Sequence, residues 1–448
     1  DRRENAHICK LCGLHHVIFA NLQITSQAAA TTKIDKIAQA AYTKTMNTLP
    51  QIRFLDRTTP PHIITLVLMT GMAALSMSIF LPSLNAMTAY FETDYSIMQI
   101  ALSGYLAATA VLQVFIGPIS DRFGRRTLVM GSLVVFVLAT IGAMLATSVE
   151  VFLFFRILQA AVATTMALGR AIVRDIVPQD QAASMIGYVT MGMALVPMVG
   201  PMIGGGLEQL FGWQATFLFL AVTGAATLAL VFFDLGETVK GTGTSFSDQF
   251  RTYPELFRSP RFWGYVSCAA FGSGAFFALL GGTSFVAAEI FGLSPLWSGI
   301  ALGAPAVGYA FGNYFSGRFS VQLGINRMAI IGTLVTIFGL GLSALLTLTG
   351  VNHPLNFFGF CTFLGLGNGI MLPNVMAGSI SVRPHLAGTA SGLGGAIMIA
   401  GGAALSQFAG SVLTIETGTM PLQLIMLGVS VLALLSVLFV VWREKRIA

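Results

Sequence analysis

The sequence predicts an all-α membrane protein of twelve transmembrane helices in two six-helix repeats. Three observations predict it. First, 55% of the 448 residues are hydrophobic and only 9% are charged, against roughly 25% charged in a soluble domain. A soluble chain could not hide so much apolar surface. Second, from Ile63 onward the apolar residues fall into runs of about 20, enough to cross a hydrocarbon core at 1.5 Å rise per residue. Third, the loops that carry Lys and Arg alternate with loops that carry none. Arg57, Arg122, Arg125, Arg174, Arg258, Arg327, Arg383 and Arg443 lie on one side. The loops of the other side hold Glu92, Asp94, Glu150, Glu208, Glu289 and Glu416 and no basic residue. The basic side is then cytoplasmic. Both termini fall there, which requires an even number of spans.

Residues 1–62 read as a cytoplasmic N-terminal segment. Positions 1–45 are mixed and weakly periodic and are expected to be an upstream extension, with Met46 as the natural start. Cys9, Cys12, His15 and His16 have zinc-like spacing, but no second ligand pair follows, so no metal site is assigned. Cys268 and Cys361 lie inside apolar runs and imply no disulfide framework.

The first half covers residues 63–235, with spans near 63–84, 99–119, 127–146, 151–172, 185–205 and 214–235. A polar linker follows at 236–261. The second half, 262–442, has spans near 262–286, 297–317, 328–349, 355–376, 389–413 and 422–442, and 443–448 form a cytoplasmic tail. Gly117 and Gly124 recur 200 residues later as Gly317 and Gly324, the trace of a duplicated unit. Such repeats build many alternating-access carriers. The net charge of +6 sets orientation and makes no nucleic-acid patch. No nucleophile–base set, phosphate loop or cofactor motif suggests an enzyme, and no cofactor is expected.

The loop after span two reads Gly117-Pro118-Ile119-Ser120-Asp121-Arg122-Phe123-Gly124-Arg125-Arg126. Glycines let helix ends approach closely, and a carboxylate among arginines can make and break charge pairs. In span four, Arg156, Gln159, Ala160, Ala163, Ala167 and Arg170 share one helical stripe. A charge inside a span is costly and usually functional; the plainer reading is an arginine reaching for the outer interface. Span five carries Gly187, Pro197, Gly200, Pro201, Gly204 and Gly205, a kinked, closely packing helix.

These segments resemble the major facilitator superfamily of transporters. The loop looks like its signature loop, and the second-half copy departs from it, with Val321 where Asp121 stands. The resemblance implies a gate formed by Gly117, Asp121, Arg122, Gly124 and Arg125, with Asp175 as a partner. Span four is similar to the family's arginine motif, associated with proton transfer. Span five resembles the antiporter signature of drug exporters, except at Val196, where that pattern has glycine. Phe80-Leu81-Pro82-Ser83-Leu84, Arg174-Asp175-Ile176-Val177-Pro178 and Ala387-Gly388-Thr389-Ala390-Ser391 resemble the bicyclomycin and chloramphenicol resistance (Bcr/CflA) branch. The resemblance spans residues 63–442 and implies a monomeric exporter of amphipathic drugs or metabolites in the inner membrane, with protons as coupling ion. It also implies a pathway that includes Arg156, Gln159, Phe271, Phe276 and Asn368. Ser78, placed with the pathway, stands where that branch often has an acidic residue. No Asp or Glu lies near the middle of any span. Coupling through Asp121, Glu150 or a water chain at Arg156 stays open, as does weak or absent coupling. An importer or facilitator of one metabolite is the alternative.

Overall fold

The spans start where the chain supplies a cap or a proline. Ser148 Oγ accepts from the amide of Val151, and Ser259 Oγ from that of Phe262, both at 3.4 Å. His62 and His353 do the same through Nδ1 to Ile64 and Leu355. Pro260, Pro295 and Pro354 each stand in a first helical turn, where the missing N–H costs nothing. The computed structural model describes residues 53–176, 185, 189, 196, 199–238, 253–383 and 386–447.

Twelve rods follow in order. α1 is Ile63–Ser78, prolonged by Leu81–Ser83 and Leu84–Tyr90; after a turn at Tyr95–Met98 comes α2, Ile100–Phe123. α3 is Arg125–Met144. α4 joins Val149–Leu158, a tighter 3-10 turn at Gln159–Val162, and Ala163–Ile176. The described part of α5 is 199–211. α6 is Trp213–Asp234, α7 is Pro260–Phe285 with a π-turn at Val286–Ile290, and α8 joins Pro295–Leu302 to Ala304–Leu323. α9 is Ile325–Leu348, α10 Pro354–Ser381, α11 Ala387–Val412 and α12 Met420–Ile447. Ten described helices are long and apolar enough to cross a membrane. The remaining two are α5, described in part, and α8, whose second piece is diluted by Asn313, Ser316, Arg318, Ser320 and Gln322.

The repeat read from the sequence is visible in the backbone. Gly124 joins α2 to α3 at φ +89°, and Gly324 joins α8 to α9 at φ +81°. Each glycine amide bonds the serine carbonyl four residues back, Ser120 and Ser320, at 2.9 Å. Only glycine takes this backbone without strain.

One apolar cluster fills the first half and also takes in Phe277, Leu280, Leu302, Ile399 and Ala403 from the second. The second half has two clusters, one toward each end. Buried hydroxyls bond back along their own helices, as Thr70 to Leu66, Thr140 to Phe136 and Ser273 to Ala269 at 2.6–2.7 Å. This satisfies them where no water reaches. Leu138, Phe154, Val222, Phe311 and Phe338 are each at least 60% exposed, as a lipid-facing surface requires.

Two stretches outside the spans are anchored. Just before the first span, Asp234, at the end of α6, accepts from the amides of Leu55 at 2.7 Å and His62 at 2.8 Å. The linker folds at its end into a short helix over 253–257, which inserts Leu256 into the second-half core and pairs Glu255 with Arg383 at 2.9 Å. Residues 1–45, with Cys9, Cys12, His15 and His16, and positions 239–252 of the linker lie outside the described residues.

Candidate functional site

At the basic end, three helix ends of the first half converge on the signature loop. Arg125 Nε meets Asp175 Oδ2 at 3.0 Å, and its Nη1 donates to Ser120 Oγ at 2.5 Å. Arg126 donates to the carbonyls of Leu235 at 2.8 Å and Phe232 at 3.1 Å, which are unsatisfied at the end of α6. Arg122 lies over the Phe123 ring at 5.5 Å. Gly117 has open space where a side chain would stand. The backbone of Asp121 belongs to α2, and its side chain lies outside the described part.

Glu237 was not singled out from the sequence. Its carboxylate accepts from the amides of Arg125 at 2.8 Å and Arg126 at 3.2 Å, the free donors that open α3 and favour an anion. It fills the place above Gly124, where a methyl group would be 2.4 Å from Oε2. Thr238 Oγ1 then donates to Asp175 at 3.1 Å. A carboxylate three residues past a span's end, opposite two arginines, was the available signal. It lies 112 residues from Arg125, too far for any local pattern to pair them.

Arg156 is fully buried. Its Nε donates to the carbonyl of Ala101 at 3.0 Å and its Nη2 to that of Ser76 at 2.7 Å. Nη1 donates to Ser76 Oγ at 3.1 Å and Gln159 Oε1 at 2.5 Å. The guanidinium lies 4.2 Å from the Phe80 ring centre and 4.5 Å from that of Tyr105. Ring faces and carbonyls thus carry the charge. Gln159 passes the network to Thr140 on α3 at 2.8 Å. The group therefore joins four helices and does not reach for the interface.

Other expected residues fall as follows. Ser78 bonds the Ala74 carbonyl at 3.0 Å and faces α5, where a methyl at Gly200 would stand 3.1 Å from its Oγ. Gly204 lies against the Ile79 carbonyl, and Gly205 and Pro201 lie beside α8. Gly187 and Pro197 lie outside the described residues. Asn368 donates to the Gly272 carbonyl at 3.1 Å, joining α10 to α7. Phe271 and Phe276 are half-buried on α7, and the Phe276 ring meets that of Phe277 at 5.9 Å.

The halves bond to each other toward the acidic end. Tyr95 Oη donates to the Gly281 carbonyl at 3.0 Å, and Gln99 Nε2 to Ser406 Oγ at 3.1 Å. Ser103 donates to Gln407 Oε1 at 2.7 Å, while Gln407 Nε2 donates to the Ser96 carbonyl at 2.9 Å. Asn85 donates to Glu289 at 2.7 Å, and Ser284 to the Leu81 carbonyl. Among the described ion pairs of the basic end, Arg125–Asp175 lies within the first half, and Arg261–Glu444 and Arg383–Glu255 lie within the second half and the segments that flank it.

The fold has solved counterparts. A bacterial homologue of the human lysosomal transporter Spinster, in an inward-facing, occupied conformation, matches with a TM-score of 0.65 at 16% identity, over 86% of this chain and 96% of that one. The chloramphenicol resistance protein of Pseudomonas aeruginosa is 29% identical over 73% of this chain and 79% of its own length. A bicyclomycin resistance protein homologue of Haemophilus influenzae is 27% identical over 78% and 88%. Both are similar in name to the branch that the motifs resemble. The family model of the major facilitator superfamily matches residues 66–407, and with the paired six-helix halves and the signature loop this places the chain in that superfamily of membrane transporters.

Proposed function

We propose that the protein exports small amphipathic molecules, drugs or metabolites, across the inner membrane by alternating access of its two halves, in exchange for protons. The observation that carries this reading is the gathering of the bonds between halves at the acidic end. Closure at one end is what an alternating-access carrier needs in each of its end states. The basic loops orient the other end to the cytoplasm, where an exported molecule would enter. The likeness to chloramphenicol and bicyclomycin resistance proteins supports drugs as the cargo class. In this reading the loop from Gly117 to Arg125, with Asp175, serves as the inner gate. Arg156 and Gln159 hold the first-half wall of the pathway, and Phe271, Phe276 and Asn368 line the second.

The test is efflux of chloramphenicol and of fluorescent dyes from energised cells of a pump-deficient bacterial host, with and without an uncoupler. Export that collapses on uncoupling is the expected result. Export that survives it removes proton coupling. The second reading, an importer of one metabolite, is favoured by the lack of a mid-span carboxylate. Net uptake of a labelled metabolite with no efflux would establish it instead.

A further inference from the structure

α1 and α6 part from each other toward the basic end, and the described part of α5 does not fill the gap. A cavity of about 550 Å³ remains there. Leu68, Gly71 and Leu75 of α1, Gly200 of α5, and Phe219 and Ala226 of α6 stand in its wall. Every described residue around it belongs to the first half, and Leu68, Val199 and Ala226 are exposed along its rim. It therefore opens to the membrane and not to the space between the halves. The repeat-related pair in the second half, α7 and α12, packs directly. A methyl at Gly264 would stand 2.4 Å from Val440 Cγ2, and one at Gly282 would stand 2.5 Å from Leu422 Cδ2.

The wall is dry. Its two described hydroxyls turn back along α6, Thr223 to the Phe219 carbonyl at 2.7 Å and Thr227 to the Thr223 carbonyl at 2.8 Å. Among the described wall residues no polar group is left to orient a ligand, so what fits is hydrocarbon. The depth matches one leaflet. Within α1, which starts at Ile63, the wall runs from Val67 to Leu75, about 6 to 18 Å from the basic end at 1.5 Å per residue. Within α6, which ends at Asp234, it runs from Leu230 to Phe219, about 6 to 22 Å from that end. Half of a hydrocarbon core is about 15 Å, and the groove lies along the spans, as an acyl chain does.

The mouth carries a charge. Asp234 holds the amides of Leu55 and His62, so the segment before α1 crosses from one wall of the groove to the other. A methyl at Gly236 would stand 2.3 Å from the carbonyl oxygen of Arg57, which fixes that segment against the end of α6. Arg57 is exposed there, and so are Phe54 and Leu55. A cation at this level attracts anionic headgroups.

We propose that this groove binds one phospholipid of the leaflet at the basic end. One acyl chain lies between α1, α5 and α6, and the phosphate of an anionic headgroup meets Arg57. The lipid does for the first half what direct packing of α7 on α12 does for the second. The site does not depend on which cargo the protein carries.

The test is native mass spectrometry of the full chain, released from nanodiscs of phosphatidylcholine and phosphatidylglycerol in equal parts. The parent is expected to keep one phospholipid, with about fivefold preference for the anionic one, which is what one arginine near an anionic surface supplies. Arg57→Gln is expected to keep one lipid without the preference. Ala226→Phe, which turns a ring into the groove from its exposed rim, is expected to keep none. A parent released bare, or an Ala226→Phe chain that keeps its lipid as the parent does, overturns the site. The parent's preference in Arg57→Gln overturns the headgroup assignment.

A second measurement leaves the protein in a bilayer. Phe219→Trp in the groove is compared with Phe338→Trp on the exposed face of α9, which lies about equally deep, near 20 Å from the basic end. Both are made in a chain whose four native tryptophans are changed to Phe. Brominated phosphatidylglycerol is titrated into phosphatidylcholine. Phe219→Trp is expected to be quenched at about one fifth of the brominated fraction that Phe338→Trp needs. Equal quenching would mean only the ordinary lipid shell and would overturn the proposal. Relief of the quenching by chloramphenicol would make the groove a cargo site and overturn it as well.

Discussion

Removing the guanidinium of Arg156 would leave the carbonyl of Ser76 and the amide oxygen of Gln159 without this donor, and would strip the second donor from the Ala101 carbonyl. An orphaned buried polar group costs about 1–3 kcal/mol. Arg156→Ala is therefore expected to lower the melting temperature of the purified protein and to abolish efflux. Arg156→Lys is expected to impair both, because one ammonium cannot reproduce a planar fork that spans four acceptors and two rings. Parent-like melting and efflux in the Lys variant would show that charge alone suffices. The same site shows what a sequence can display at this scale. A charge inside an apolar run is conspicuous, and its spacing from Gln159 is local. Its partners Ser76 and Ala101 stand 80 and 55 residues away, and an unremarkable serine and alanine give no sign of offering a carbonyl.

The α2–α3 turn is governed by one backbone angle and one anion. Gly124→Ala would place a methyl at φ +89° and against Glu237. With ψ at 145°, this sparsely populated backbone costs a non-glycine residue about 1–3 kcal/mol, so the variant is expected to melt earlier than the parent. Glu237→Gln keeps the shape and removes the charge that faces the α3 amides. It is expected to reduce efflux less than Asp121→Asn, which should impair transport with little loss of membrane protein if the gate reading holds. Efflux normalised to membrane content ranks the two. Normal rates in Asp121→Asn would remove the gate assignment. The loop itself was legible, because its glycines and arginines stand in one short stretch. Glu237 was not, because the capping of α3 comes from the far end of α6. The tightening of α4 at Gln159–Val162 was also invisible, since the apolar period continues through it.

The twelve rods, the 200-residue repeat and the alternation of basic and acidic loops were legible because lipid imposes length and charge rules on every span. Which helices of the two halves touch was not, for neutral small residues carry no pairing code. Gln99→Ala removes one bond between α2 and α11, and Gln407→Ala removes two. A net hydrogen bond contributes about 0.5–1.5 kcal/mol. Each variant should shift the acidic end toward opening, Gln407→Ala by more, as read by thiol labelling of Ala403→Cys, buried where the two halves pack together. Equal labelling in parent and variants would show that these bonds do not hold the end shut.

Glu289 is the sole carboxylate among the described partners that join the halves at the acidic end, and it faces the uncharged Asn85. The other bonds link hydroxyls, amides and carbonyls. Parting such groups carries almost no charge through the membrane field, whereas each full elementary charge moved would couple to voltage by about 2.3 kcal/mol per 100 mV. The closure of the acidic end is thus electrically silent. Any dependence of turnover on membrane potential would then enter through charges elsewhere, at the basic end or on what is carried, and clamping the voltage while labelling the acidic end should leave its accessibility flat.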